Sequence, residues 1–250
     1  MMMDKAELLN VLQTGEIDVE GLMPWSSNYT FLIRVCTAQH EISAVYKPRR
    51  GERPLWDFPT GTLCNRERTA FLVSDALKWD LIPPTVLRNG PNGVGSVQLF
   101  IEQHNPDRHY FTIEGAPQFR EMLQRLTLFD IIINNADRKA GHVLVEEIHM
   151  DNPDAERLWA IDHGIAFHSQ FKLRSVIWEF AGQPIPKALL SDMTQFQNNL
   201  ATNKDNFRQT LSELINKEEL QALQKRLSNL INDGTFRQPG PGRHYPWPPV

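Results

Sequence analysis

The stretch 126–168 constrains the fold of this chain more than any other. Phe119, Met122, Leu123, Leu126, Phe129 and Ile133 recur at helical spacing, and that period predicts a buried helix running toward residue 133. The burial pattern then stops at the polar turn Asn134-Asn135-Ala136-Asp137-Arg138. A short apolar strand (Val143-Leu144-Val145), a turn-rich segment (Asp151-Asn152-Pro153-Asp154) and a second strand (Leu158-Trp159-Ala160-Ile161) lead to Asp162-His163-Gly164, a pattern that predicts a β-hairpin. Pairing of the two strands would return both outer ends of the hairpin to one place. Asp137 and Asp162 then become neighbours.

Two carboxylates at one end of a hairpin, with Arg138 and Lys139 beside them, suit phosphoryl transfer. One acid orients or deprotonates a hydroxyl while the other holds a metal that neutralises polyphosphate charge. Taken singly, each aspartate reads as a turn or loop residue. As a pair, fed by an apolar helix and followed by Gly164, they read as a site.

The bulk numbers narrow the class. With 250 residues, 41% of them hydrophobic, the chain is long enough for one large domain or two lobes with a sizeable core. A net charge of −4 gives no reason to expect a nucleic-acid partner. Cys36 and Cys64 are the only cysteines. Two thiols behind a start that lacks signal-peptide character point to a reduced, cytoplasmic protein. No apolar run reaches the roughly 18 residues of a spanning helix, which leaves peripheral membrane contact open. The histidines show no pair with a third ligand at a spacing typical of zinc sites.

The segments NNADRKAGHVLV and AIDHGIAF resemble the catalytic loop and metal-binding segment of the phosphatidylinositol 3/4-kinase superfamily. The likeness is closest to type II phosphatidylinositol 4-kinases and to bacterial relatives in a group that includes HipA-like kinases. The resemblance implies an α+β, two-lobed protein-kinase-like fold: a small β-rich N-lobe with one main helix, and a mostly helical C-lobe carrying the catalytic hairpin. It places Asp137 on the catalytic aspartate, with Arg138 beside it, and Asp162 on the metal-binding aspartate. Five residues after the catalytic aspartate the family usually has Asn, where this chain has His142. An imidazole nitrogen suits Mn²⁺ better than Mg²⁺.

Further elements follow in family order. Residues 4–13 read as a short amphipathic helix. Ahead of the strand Tyr29–Val35, the small polar residues Ser26, Ser27 and Asn28 resemble the family's serine-rich nucleotide loop, which covers the ATP phosphates. The strand Ile42–Pro48 ends in VYKP, where Lys47 matches the ATP lysine. Asn65 is expected to cap a helix over Arg66–Trp79, whose Glu67 would orient Lys47. The strand 93–102 resembles the GS-x-QLF-x-E strand entering the hinge, so main-chain groups of Phe100, Ile101 and Glu102 would meet adenine. His104-Asn105-Pro106-Asp107-Arg108 is the expected lobe boundary, giving an N-lobe over 1–103 and a C-lobe over 104–237. Trp178 and Phe180 belong either to an acceptor-binding segment or to the core. Residues 206–232 predict two more helices. The Pro-rich tail, 238–250, cannot form regular secondary structure; it is free, docks through Trp247, or serves as a polyproline-type ligand for a partner.

Together these features predict an ATP- and Mg²⁺- or Mn²⁺-dependent kinase acting on a hydroxyl of a lipid headgroup, a protein or a small molecule. The alternative is a pseudokinase or nucleotide-binding interaction module, in which His142 has weakened catalysis.

Overall fold

The computed structural model describes residues 3–24, 28–103, 105, 107–147 and 156–250. Helix α1 (Lys5–Thr14) opens the chain with Asp4 as N-cap, its carboxylate accepting from Glu7 N–H. Strands β1 (Glu16–Leu22), β2 (Phe31–Cys36), β3 (Glu41–Pro48), β4 (Thr85–Gly90) and β5 (Gly93–Leu99) form an antiparallel sheet in the order β1-β2-β3-β5-β4. Side chains alternate across a strand. Ile33 and Val35 of β2, with Ala44 and Tyr46 of β3, therefore share one face, where they pack on Val11 and Leu12 of α1. The same alternation turns Val45 and Lys47 to the other face. Close pairing of β3 with β5 depends on Gly95, where a Cβ would lie 2.5 Å from the Lys47 carbonyl oxygen and 2.7 Å from Pro48 Cα.

Helix α2 (Leu63–Ala76) lies between β3 and β4 in sequence and packs against β4 and β5. It starts earlier than the sequence predicts, and Asn65 is not its cap. The Glu52 carboxylate instead accepts from Leu63 N–H (3.1 Å) and Cys64 N–H (2.8 Å), satisfying two donors that a helix start leaves open. Asn65 sits inside the helix and accepts from Arg49.

After the short α3 (Tyr110–Ile113), the second lobe is built on α4 (Arg120–Ile133), buried almost all round from Leu123 to Ile133. The hairpin follows as β6 (Val143–Glu147) and β7 (Glu156–Ala160), with Val143 opposite Ala160. Its expected turn at Asp151–Asp154 lies outside the described residues, as do His104 and Pro106 of the expected boundary. Helices α5 (Lys187–Thr202), α6 (Phe207–Leu214) and α7 (Lys217–Asp233) complete the lobe. The result is the two-lobed α+β architecture expected from the sequence. Phe180 resolves as core, fully buried 5.5 Å from Phe236, while Trp178 is only half-buried.

The tail docks, but not through Trp247, which is 78% exposed. Its contacts run through His244, the buried Pro246 and Pro249. Cys36 and Cys64 are unpaired. Among the described residues, no helix is long and apolar enough to cross a membrane.

One buried ion pair ties α2 to the C-lobe. Arg66, 1% exposed, donates to Glu219 Oε1 of α7 (2.6 Å) and to the Ala166 carbonyl (2.6 Å). Arg66→Met would strand the Glu219 charge, and such breaks cost about 3–5 kcal/mol. For a chain of this size that lowers Tm by roughly 6–20 °C, measurable by calorimetry. Adding Glu219→Gln, which keeps the side chain able to accept from Asn216 N–H without its charge, should recover much of the loss. A double variant as unstable as the single one would contradict the unpaired-charge account.

Candidate active site

Between the lobes lies a cleft of about 450 Å³ lined by Lys47, Glu67, Asp137, Lys139, His142 and Asp162. That volume is in the range of small-molecule and cofactor sites. Lys47 reaches it because strand alternation points it away from α1. Its Nζ lies 2.5 Å from Glu67 Oε1 and 3.0 Å from Asp162 Oδ1. Burial works against the Lys47 charge, but Asp162 and Glu67 outweigh it and raise its pKa above the ordinary lysine value. Asp162, with Lys47 beside it, is held well below the usual carboxylate range. Both groups stay ionised.

Glu67 does more than orient Lys47. Its Oε2 accepts from His163 N–H at 3.0 Å, so one carboxylate joins sheet, helix and metal-type segment. Asp162 itself adopts a left-handed backbone, φ 61°, a conformation that persists in a non-glycine residue only when its surroundings over-determine it. Its neighbours supply that constraint: Ile161 N–H donates to His142 C=O (3.0 Å) and His163 N–H to Glu67.

Asp137 contrasts with Asp162. Burial pushes its carboxyl up to about 6; Lys139, 3.8 Å away, opposes the rise, and the charge of Asp162 adds to it. A carboxyl poised near neutrality suits a proton acceptor.

His142 completes the group. Burial lowers its pKa to about 4, so the ring is neutral at neutral pH. Its Nδ1 lies 3.0 Å from the Asp137 carbonyl oxygen and 3.5 Å from Lys139 N. The shorter contact assigns the proton to Nδ1, donating to that carbonyl, and leaves the Nε2 lone pair 3.4 Å from Asp162 Oδ2. A neutral imidazole whose second nitrogen is fixed by a carbonyl is the usual arrangement of a histidine ligand. Asp162 and His142 thus fit a divalent ion by donor type and spacing. Among the described residues no three His, Cys, Asp or Glu side chains form a closed metal cage, and ions in phosphoryl-transfer sites take much of their coordination from substrate phosphates.

Other expected residues divide. Phe100 and Ile101 line the cleft, whereas Glu102 does not. Phe100 N–H is already committed to Ser43 C=O, so it is not a free hinge donor. Asn28 lines the cleft, its side-chain oxygen accepting from Arg53 N–H; Ser26 and Ser27 lie outside the described residues.

Arg138 departs from its expected catalytic place. It is fully buried behind the cleft, where it makes a two-pronged pair with Asp130 of α4 (2.8 and 3.0 Å). It also donates to the carbonyls of His142 and Ile161 and, at 2.6 Å, to His163 Nε2. It is a positioning residue for both loops, and it does not reach the reacting centre.

Glu52 is a lining residue that the sequence does not reveal. An acid eleven positions before the helix it caps carries no local signal. Cys64 also lines the cleft, but burial, with Glu52 nearby, pushes its thiol up to about 12, leaving it unreactive.

Residues 64–234 match the family model for phosphatidylinositol 3- and 4-kinases. The chain is 34% identical to Protein Rv2133c of Mycobacterium tuberculosis (strain ATCC 25618 / H37Rv), a likeness covering 95% of this chain and 94% of that protein. It is 33% identical to phosphatidylinositol 4-kinase gamma 4 of Oryza sativa subsp. japonica over 39% of this chain and 17% of that protein. Among solved structures, the Golgi casein kinase with Mn/ADP bound superposes with a TM-score of 0.61 at 17% identity, covering 91% of this chain and 74% of that one. At that identity the last likeness speaks to fold alone, and it is to a kinase.

Because the folded pKa of Asp137 lies above the roughly 3.9 of an unfolded aspartate, its ionisation costs stability as pH rises from about 4 through 6. Asp137→Asn removes that cost, so it should stabilise the protein by up to about 3 kcal/mol at pH 8 and by little at pH 4. Urea titrations at the two pH values test this, and equal effects at both would contradict it.

Proposed function

The chain belongs to the phosphatidylinositol 3- and 4-kinase family, and from that premise we propose that it is an ATP- and divalent-metal-dependent phosphotransferase. The observation that carries the proposal is the opposed tuning of two carboxylates in one cleft: Asp137 raised to about 6, Asp162 held low by Lys47. Paired acids with separated pKa values divide the labour of base and metal ligand.

In this reading ATP lies in the cleft between the lobes. The main chain near Ile101 takes the adenine edge, and Lys47, oriented by Glu67, meets the phosphates as a point charge. Asp162 and His142 would hold the divalent ion, Mg²⁺ or Mn²⁺, which when bound would offset charge on the phosphoryl oxygens. Asp137 accepts the proton of the acceptor hydroxyl as its oxygen bonds to the γ-phosphorus and the bond from that phosphorus to the β-phosphate oxygen breaks, releasing ADP. Lys139 favours the ionised form of Asp137. Arg138 fixes the Asp137 loop and the Asp162 segment to α4. The acceptor is a hydroxyl of a lipid headgroup, protein or small molecule. Retention of Lys47, Glu67, Asp137 and Asp162 in mutual contact or charge coupling supports turnover over a degenerate, purely binding module.

A thermal-shift titration with ATP in Mg²⁺, Mn²⁺ or chelator tests the reading. Ligand at 100 times its dissociation constant adds about 2.7 kcal/mol, a rise of roughly 5–10 °C at this size. The rise should need metal and vanish in Asp162→Ala; no shift with any nucleotide would sink the proposal. His142→Asn should move metal preference from Mn²⁺ toward Mg²⁺, and an unchanged ratio would remove His142 from the metal site.

A further inference from the structure

The matched family region ends at residue 234, yet the chain beyond it returns to the active site. From Gly234 the tail first pairs with residues 182–183: Gly182 N–H donates to Phe236 C=O (3.0 Å) and Phe236 N–H to Gln183 C=O (2.9 Å). Phe236 is buried against Phe180. Farther on, Ser175 N–H donates to His244 C=O (3.0 Å), and the His244 ring stands edge-on to Trp178. The indole N–H of Trp178 in turn donates to Ser175 C=O (2.7 Å). Pro246 is buried. Finally, Ala140 N–H donates to Pro249 C=O at 2.8 Å.

Those two anchor points are the two sides of one small ladder. Arg138 pairs in parallel with Ser175, its N–H donating to Arg174 C=O and its C=O accepting from Val176 N–H. The 174–176 backbone is therefore occupied by the catalytic loop on one edge, and on the other edge Ser175 N–H meets His244. The tail then passes on to Ala140, which is fully buried and begins the turn Ala140–His142. A buried N–H without a partner costs free energy, and Pro249 is the partner that Ala140 has. That turn sets the direction of the His142 ring.

We propose that residues 243–249 are a positioning segment of the active site, a clasp that holds the catalytic loop against the 174–178 segment and thereby aims His142 at the metal position. The clasp acts through backbone carbonyls, so it specifies loop geometry without touching substrate. This inference rests on the proposed metal role of His142 and Asp162. Removal of groups that orient metal ligands typically weakens metal binding roughly 10–100-fold, and the clasp should show a loss of that order.

Amide hydrogen exchange on the intact chain is the first test. The Ala140 and Ser175 amides should be protected, and Pro246→Asp, which undocks the tail, should expose both while α4 amides stay protected. A chain ended after Gly242 should keep its far-ultraviolet spectrum, while Mn²⁺ affinity, read by electron paramagnetic resonance with Mn²⁺ alone, falls roughly 10–100-fold. A peptide of residues 243–250 in excess should restore part of it, and Trp247→Ala, at an exposed position, should behave as the intact chain. Fast exchange of Ala140 in the intact protein, or unchanged Mn²⁺ affinity in a folded truncated chain, would overturn the clasp. If truncation unfolds the chain, Pro246→Asp carries the Mn²⁺ measurement. Failure of the intact chain to bind Mn²⁺ would overturn the aiming of His142 together with the metal reading, whereas protection lost at Ala140 and Ser175 on undocking still supports the tie between tail and loop.

Discussion

Arg138 and Asp130 form the pair on which the site depends. The guanidinium is fully buried, so its charge is tolerable only because Asp130 meets it with both oxygens, in the geometry that makes arginine–carboxylate pairs strong. The remaining donors go to the His142 and Ile161 carbonyls and to His163. Those three groups belong to the two loops that carry Asp137 and Asp162. A single cation thus fixes both loops to α4, the best buried helix of the C-lobe. Removing either partner leaves an uncompensated buried charge, and the loops lose their common reference.

Around that hub, two aspartates of identical chemistry acquire different roles through their surroundings alone. Asp162 faces Lys47 and keeps its charge; Asp137 is half-buried with a weaker, longer contact to Lys139 and holds a proton more readily. His163, buried and pushed well below its ordinary pKa by that burial and by Arg138, accepts from the arginine as a neutral ring. His142 follows the same logic, since a neutral ring with its Nδ1 proton engaged by the Asp137 carbonyl presents its Nε2 lone pair toward Asp162.

Much of this was legible in the sequence. The helix ending at Ile133, the hairpin, and the convergence of Asp137 and Asp162 follow from periodicity and turn residues, and the left-handed Asn134 is the helix stop that the Asn-Asn pair suggests. Lys47 and Glu67 were legible only through resemblance, because a lysine near a strand end and a glutamate in a first turn have commoner explanations. Three features had no local signal. β1 is an edge strand with mostly exposed side chains, so no apolar alternation marks it. Glu52 caps a helix from across a loop. Arg138 sits in the catalytic motif, and sequence adjacency to Asp137 says nothing of its turning inward, which needs Asp130 in place. The amphipathic α5 buries Leu189, Met193, Phe196 and Leu200, a stripe at helical spacing that the sequence does carry.

The Arg66 contacts have a mechanical consequence. Although α2 packs on the sheet, its buried arginine is bound to α7 and to the Ala166 carbonyl, and Glu67 is bound to His163 N–H. The helix is therefore bound on both sides: Arg66 and Glu67 hold it to the lower lobe, while Arg68 donates to the Thr85 carbonyl of β4. Any widening of the cleft that separates β3 from α2 has to break the 2.5 Å contact between Lys47 and Glu67. The distance between these two side chains would then be a gauge of how far the mouth of the cleft stands open.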